Sequence, residues 1–95
     1  MNNLVFLIGR LENYIIENNK LKLMIYYSGD EIDVTLPIHM KFLPTQNVID
    51  VLEEDMLIGL KCHLALDENN NIMVIGDKMT FLTSKNKGGE NNESK

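Results

Sequence analysis

The sequence predicts an all-β domain, with five strands closed into a small barrel and one short helix between the third and fourth strands. Three observations carry this prediction. Two apolar runs, Leu4–Leu11 and Leu57–Leu64, each contain a glycine, Gly9 and Gly59; a glycine inside a strand marks a bend, a bulge or a close backbone approach. Residues 20–28, 31–39 and 56–66 alternate between apolar and polar side chains, the period of a half-buried strand. Helical spacing of apolar residues occurs once, at Val48, Ile49, Val51 and Leu52.

The first strand is read from about Asn3 to Ile16. Its apolarity is nearly continuous, which predicts burial on both faces. Leu4, Phe6 and Ile8 lie on one side and Val5 and Leu7 on the other. One face fills the core; Val5 and Leu7 are taken as the outer face, which with Leu57 would meet another subunit. Gly9-Arg10 falls where such a strand must bend to pair with two neighbours. Glu17-Asn18-Asn19 is a turn, because Asn tolerates the left-handed region.

The second strand, Lys20–Ser28, places Leu21, Leu23, Ile25 and Tyr27 inward and Lys20, Lys22, Met24 and Tyr26 outward. Ser28-Gly29-Asp30 makes the next turn. The third strand, Glu31–His39, places Ile32, Val34, Leu36 and Ile38 inward and Asp33, Thr35, Pro37 and His39 outward. Pro37 cannot donate to a ladder, so it sits at an edge, a bulge or the strand's end. Thr45 is the expected N-cap of a helix of about two turns. Glu53, Glu54 and Asp55 close it, against the preference of the helix dipole. The fourth strand, Met56–Leu66, has Met56, Ile58, Leu60, Cys62, Leu64 and Leu66 on one face. Asp67–Asn71 is a hairpin loop, and the fifth strand, Ile72–Thr83, carries a bulge or bend at Gly76-Asp77.

The chain has 95 residues, room for one domain. Ser84–Lys95 contains no apolar residue and is expected to be a flexible polar tail, leaving residues 1–83 as the folding unit. No stretch is long enough to span a membrane. Gly9 and Arg10 interrupt the opening run, so a secretion signal is not expected. The single cysteine, Cys62, excludes an internal disulfide and fits a reducing cytoplasm. The formal charge of −5 argues against a strongly basic nucleic-acid binder. Two groups hold six of the fourteen acids, however: Asp50, Glu53, Glu54 and Asp55, and Glu90 and Glu93. A groove elsewhere can still be positive.

Three strands, a helix and two strands is the layout of the OB-fold, a five-stranded Greek-key barrel. The opening Met1–Leu11, which ends in Gly9-Arg10-Leu11, resembles the start of bacterial single-stranded DNA-binding proteins. So does the helix with the following Leu57-Ile58-Gly59-Leu60, and so does the close, Met79-Thr80-Phe81-Leu82. The resemblance covers residues 1 to about 83. It implies a non-enzymatic, homo-oligomeric protein (dimer or tetramer) that binds single-stranded DNA, works beside replication or recombination proteins, and needs no cofactor. The chain departs from that family in its short second hairpin, its lack of Trp, and a tail without an acidic, apolar-tipped end.

Binding a single strand requires cations for phosphates and flat side chains for bases. The usual surface in this fold is the outer face of strands two and three with the flanking loops. Lys20, Lys22 and Tyr26 alternate there, either as a binding face or as an ordinary solvated one. Lys41 and Phe42 follow the third strand, near where the resembled family places a base-stacking aromatic; Phe42 either stacks on a base or staples the helix to the core. Tyr14 is a similar case. Arg10 either contacts phosphate or caps backbone carbonyls. Lys61 and Lys78 would extend the groove, while Asp33 on the same face would repel phosphate. Cys62 and His63 point to opposite faces and cannot readily share a metal, and no catalytic constellation is evident. The charge, the absent Trp and Asp33 leave a second reading open: an OB-fold adaptor for another protein in a replication or mobile-element complex.

Overall fold

The computed structural model describes residues 3–83; the expected tail, Ser84–Lys95, lies outside the described residues. The elements are β1 (Leu4–Glu17), β2 (Lys20–Ser28), β3 (Asp33–Met40), α1 (Gln46–Ile49), β4 (Leu57–Leu66) and β5 (Ile72–Thr83). They close into a barrel in the order β1-β2-β3-β5-β4. All neighbours are antiparallel except β3 and β5, which pair in parallel through Ile38–Met40 and Val74–Gly76.

β1 serves two neighbours in succession. Leu4–Arg10 pairs with β4, and Arg10–Glu17 pairs with β2. The handover falls at Gly9-Arg10, as the glycine predicts. A Cβ on Gly9 would run into Ile25 Cγ2 and lie 2.8 Å from the Tyr26 carbonyl oxygen. Gly9 does not have positive φ, so the requirement is for space and not for an unusual dihedral. Just beyond, Glu12 is an extra residue in the β1–β2 ladder, a bulge that sharpens the bend.

The β1–β2 hairpin turns on Asn18 and Asn19, both left-handed, with φ of 53° and 61°. Two successive left-handed residues make the turn whose twist matches that of the flanking strands. In β5, Gly76 pairs with Cys62 and Lys78 with Lys61, so Asp77 is bulged out at the predicted place. Gly76 allows the chain to pass Met40, whose Sδ would be 2.5 Å from an added Cβ.

The core is Leu11, Leu21, Leu23, Ile25, Ile38, Met56, Ile58, Leu60 and Cys62, closed at one end by Leu52. The expected inward residues of β2 and β4 supply most of it. Burial pushes the Cys62 thiol up to about 11, so it stays protonated and inert.

Several expectations are corrected. In β1 the faces are reversed: Val5 and Leu7 pack against the core, while Leu4, Phe6 and Ile8 point to solvent, Phe6 at 70% exposure. The register with β4 decides this, because Val5 pairs with buried Cys62 and Leu7 with buried Leu60. Tyr27, Leu64 and Leu66 continue the alternation past the end of the core and are exposed. Strand three begins at Asp33, and Ile32 is an exposed loop residue. The β2–β3 connection is therefore longer than the expected turn, with Gly29 N–H donating to Ile32 O at 2.9 Å. Pro37 lies before the β3–β5 pairing begins, where β3 still has an open edge.

α1 is one turn, not two. Thr45 caps it through its backbone carbonyl, which accepts from Val48 and Ile49 N–H, and its hydroxyl makes no capping bond. Tighter i→i+3 bonds then carry Leu52 into the core. The acids that follow belong to a turn that grips β1. Asp55 is left-handed, with φ of 75°. Its N–H donates to Leu11 O at 2.7 Å, and Leu11 N–H donates to Met56 O at 2.9 Å.

Candidate functional site

The outer face of β1, β2, β3 and β5 holds a groove between the β1–β2 hairpin and the start of β5. Strand register brings its side chains together. Lys22 stands between Ile15 of β1 and His39 of β3. Lys20 lies beside Glu17 at the hairpin end. His39 pairs with Ile75 across the parallel seam, which adds β5 to the same surface. Lys41 is fixed at the far wall because its N–H donates to Gly76 O at 2.9 Å. The groove thus gathers Lys20, Lys22, Lys41 and His39 against one carboxylate, Glu17, with apolar walls from Ile15, Met73 and Ile75.

Of the seven residues expected to bind, Lys20, Lys22 and Lys41 meet in this groove. Phe42 stands beyond Lys41 at 68% exposure, with Lys41 Nζ 5.4 Å from its ring centre. Its ring is exposed to solvent beside Lys41 and does not staple the helix to the core. Tyr26 is four residues along β2 from Lys22, about 13 Å away at strand rise. Arg10 donates from Nη1 to the Asp55 carbonyl at 3.0 Å, the carbonyl-capping alternative. Lys61 lies on another wall, paired with Lys78 in β5 and with Phe6 in β1. The structure does not bring Arg10, Tyr26 or Lys61 to the groove, and Lys78 stays with Lys61. Met73, Ile75 and His39 were not singled out from the sequence as groove residues; period-two reading of β5 could have flagged the first two.

Burial and the neighbouring Lys22 hold the His39 imidazole below its ordinary value of 6.5. Neutral His39 is therefore favoured in the folded state. As pH falls, the unfolded chain takes up this proton first, so stability declines from about 6.5 until pH passes below the depressed folded value. Urea unfolding between pH 7 and 5 should show this loss, and His39→Gln should remove its share. An unchanged pH profile in the variant would count against it.

The opposite wall, formed by β1, β4 and β5, is apolar. Phe6, Ile8 and Leu82 surround Gly59, with Lys61 and Lys78 at the margin. His63 on β4 is paired to the bulged Asp77, Nδ1 to Oδ2 at 2.8 Å. Among the described residues no cluster of His, Cys, Asp and Glu could hold a metal ion, and no helix is long and apolar enough to cross a membrane.

Solved structures with this barrel include the mitochondrial single-stranded DNA-binding protein Rim1 of S. cerevisiae, with a TM-score of 0.73 at 14% identity over 88% of this chain and 97% of that one. The second single-stranded DNA-binding protein, SSBb, of Mycobacterium smegmatis matches with a TM-score of 0.61 at 11% identity, covering 86% of this chain and 90% of that one. The S. pombe Stn1-Ten1 complex matches at 0.64 and 11%, covering 97% of this chain and 67% of that one. The fold is the OB-fold. No protein-family model matches the sequence, and no curated protein sequence matches it. At these identities the likeness establishes the barrel and its connectivity.

Proposed function

We propose that this protein binds single-stranded DNA without sequence preference and without catalysis. The observation that carries the reading is the groove itself: among the described residues three lysines and one carboxylate, Glu17, line it, although the whole chain is acidic. Lys20, Lys22 and Lys41 neutralise phosphates. Ile15, Met73 and Ile75 offer apolar contact to bases, and the exposed Phe42 ring offers a stacking platform at the rim. Rim1 and SSBb, which share the fold, are single-stranded DNA-binding proteins. Membership of the bacterial family, and service in replication or recombination in the cytoplasm, belong to the same proposal; Gly9-Arg10-Leu11 and the strand before it support it. Fluorescence anisotropy with labelled oligo-dT against duplex at low salt tests it. Saturable binding of the single strand, weakening steeply with salt, is expected. No saturation at micromolar protein would sink the reading.

The exposed Leu4, Phe6, Ile8 and Leu82 support self-association through the β1–β4–β5 wall, as a dimer or tetramer. In a two-fold interface each substitution counts twice. Burying a Phe side chain contributes about 1.5–3 kcal/mol. Phe6→Asp is therefore expected to weaken assembly at least about 100-fold and to give a folded monomer by light scattering. The same wall favours a second reading, an adaptor that binds another protein. An unmutated chain that is monomeric in solution and captures a protein partner in the absence of DNA would favour the adaptor.

A further inference from the structure

The outer face of β1, β2 and β3 has two electrostatically opposite ends. At one end lies the groove, where Lys20, Lys22 and Lys41 outnumber Glu17. At the other, Tyr26 stands between Arg10 on β1 and Thr35 on β3. Two exposed carboxylates are fixed around it. Glu12, the bulge residue of β1, accepts a hydrogen bond from Thr35 Oγ1 at 3.0 Å. Asp33 accepts one from Ser28 Oγ at 3.0 Å. Both acids raise the Tyr26 pKa, Asp33 foremost. Arg10, the one cation at this end among the described residues, sends its Nη1 to the Asp55 carbonyl. Tyr26 is about 13 Å from Lys22 along β2. Among the described residues neither Glu12 nor Asp33 is ion-paired with a lysine.

We propose that Glu12 and Asp33 form an electrostatic stop that confines a bound single strand to the basic end of this face, so that the binding site is short and Tyr26 lies outside it. This rests on the reading of the groove as a single-strand site. A phosphodiester led past Lys22 toward Tyr26 meets two carboxylates held in place by hydroxyl donors. The path left to it crosses β1, β2, β3 and β5 and ends at Lys41 and Phe42. Three strand spacings amount to about 14 Å, so the site belongs at the small end of the range of about 4–16 nucleotides known for one OB-fold.

The test is the length dependence of affinity for oligo-dT from about 4 to about 16 nucleotides. Wild type is compared with the Glu12→Gln/Asp33→Asn double variant, and Asp50→Asn/Glu54→Gln, at the end of α1 and in the α1–β4 connection, controls for the same change of net charge. Gln and Asn keep the acceptor oxygens that Thr35 and Ser28 use, so only the charge is lost. Wild-type affinity should stop rising at short lengths. The double variant should keep rising, gaining about 3- to 10-fold on the longest oligonucleotide and little on the shortest. Superimposed length curves, or an equal gain from Asp50→Asn/Glu54→Gln, overturn the stop while leaving the groove intact. No binding at any length overturns the single-strand reading and this inference with it.

Discussion

Replacing Gly9 with alanine is expected to lower the stability of the barrel by about 2–3 kcal/mol, a large share of the roughly 5–15 kcal/mol that holds a domain folded. The new methyl would meet Ile25 Cγ2 and the Tyr26 carbonyl oxygen. Ile25 is a core residue and the carbonyl belongs to β2's backbone, so neither can move without shifting the strand. For a domain of this size that corresponds to a melting point lower by roughly 10–20 °C. Two sister substitutions calibrate the effect. At Gly76 the first obstacle is the Met40 thioether, a flexible side chain, so alanine there should cost less. At Gly59 the nearest atom is Leu82 Cδ1 at 3.5 Å, an ordinary contact, so alanine should be tolerated. Thermal unfolding of the three variants should rank them Gly9, Gly76, Gly59 in order of loss. Equal melting points for Gly9→Ala and Gly59→Ala would show that the bend does not depend on the missing side chain.

The second large effect concerns the groove. Lys20→Glu with Lys22→Glu should reduce single-strand affinity by about 100-fold at low salt, because two attractions become repulsions at close range. Losing two phosphate contacts should also flatten the slope of log affinity against log salt by about 1.4. Stability should stay within about 0.5 kcal/mol of wild type, since neither lysine is part of the core. The denaturation midpoint and the anisotropy titration are measured on the same preparation. Retained affinity with a native midpoint would clear the groove of the role proposed for it.

How much of this was legible in the sequence depends on the kind of signal. β2 is found at its predicted limits because Leu21, Leu23 and Ile25 alternate with Lys20, Lys22, Met24 and Tyr26, and two asparagines punctuate its start. Gly9-Arg10 and Gly76-Asp77 mark the bend and the bulge where they occur. The face of β1 was misread because Leu4–Ile8 has no polar residue to mark the wet side. Only the pairing of Val5 with Cys62 and Leu7 with Leu60 decides it. Tyr27, Leu64 and Leu66 keep the right period, but periodicity does not say where a core ends. For the site, Lys20 and Lys22 could be read from β2 alone. Met73 and Ile75 reach the same groove only through the parallel pairing of β3 with β5, a contact between segments far apart in the chain. The second acid of the stop, Glu12, was hidden for another reason: a bulge shifts the alternation that would have placed it.

That parallel pairing has a consequence for how the barrel holds itself shut. Three residue pairs, Ile38–Val74, His39–Ile75 and Met40–Gly76, close the ring. It is the shortest ladder among the described residues, and α1 and all of β4 lie between the two segments it joins. A contact of such sequence separation forms only after its intervening loop has lost its freedom. The same few hydrogen bonds offer the easiest line of local opening. Lys22 and His39 lie on one bank of this line, Met73 and Ile75 on the other. A strand laid across the groove would bridge the two banks and act as a clasp, reinforcing a closure that the three pairs already make.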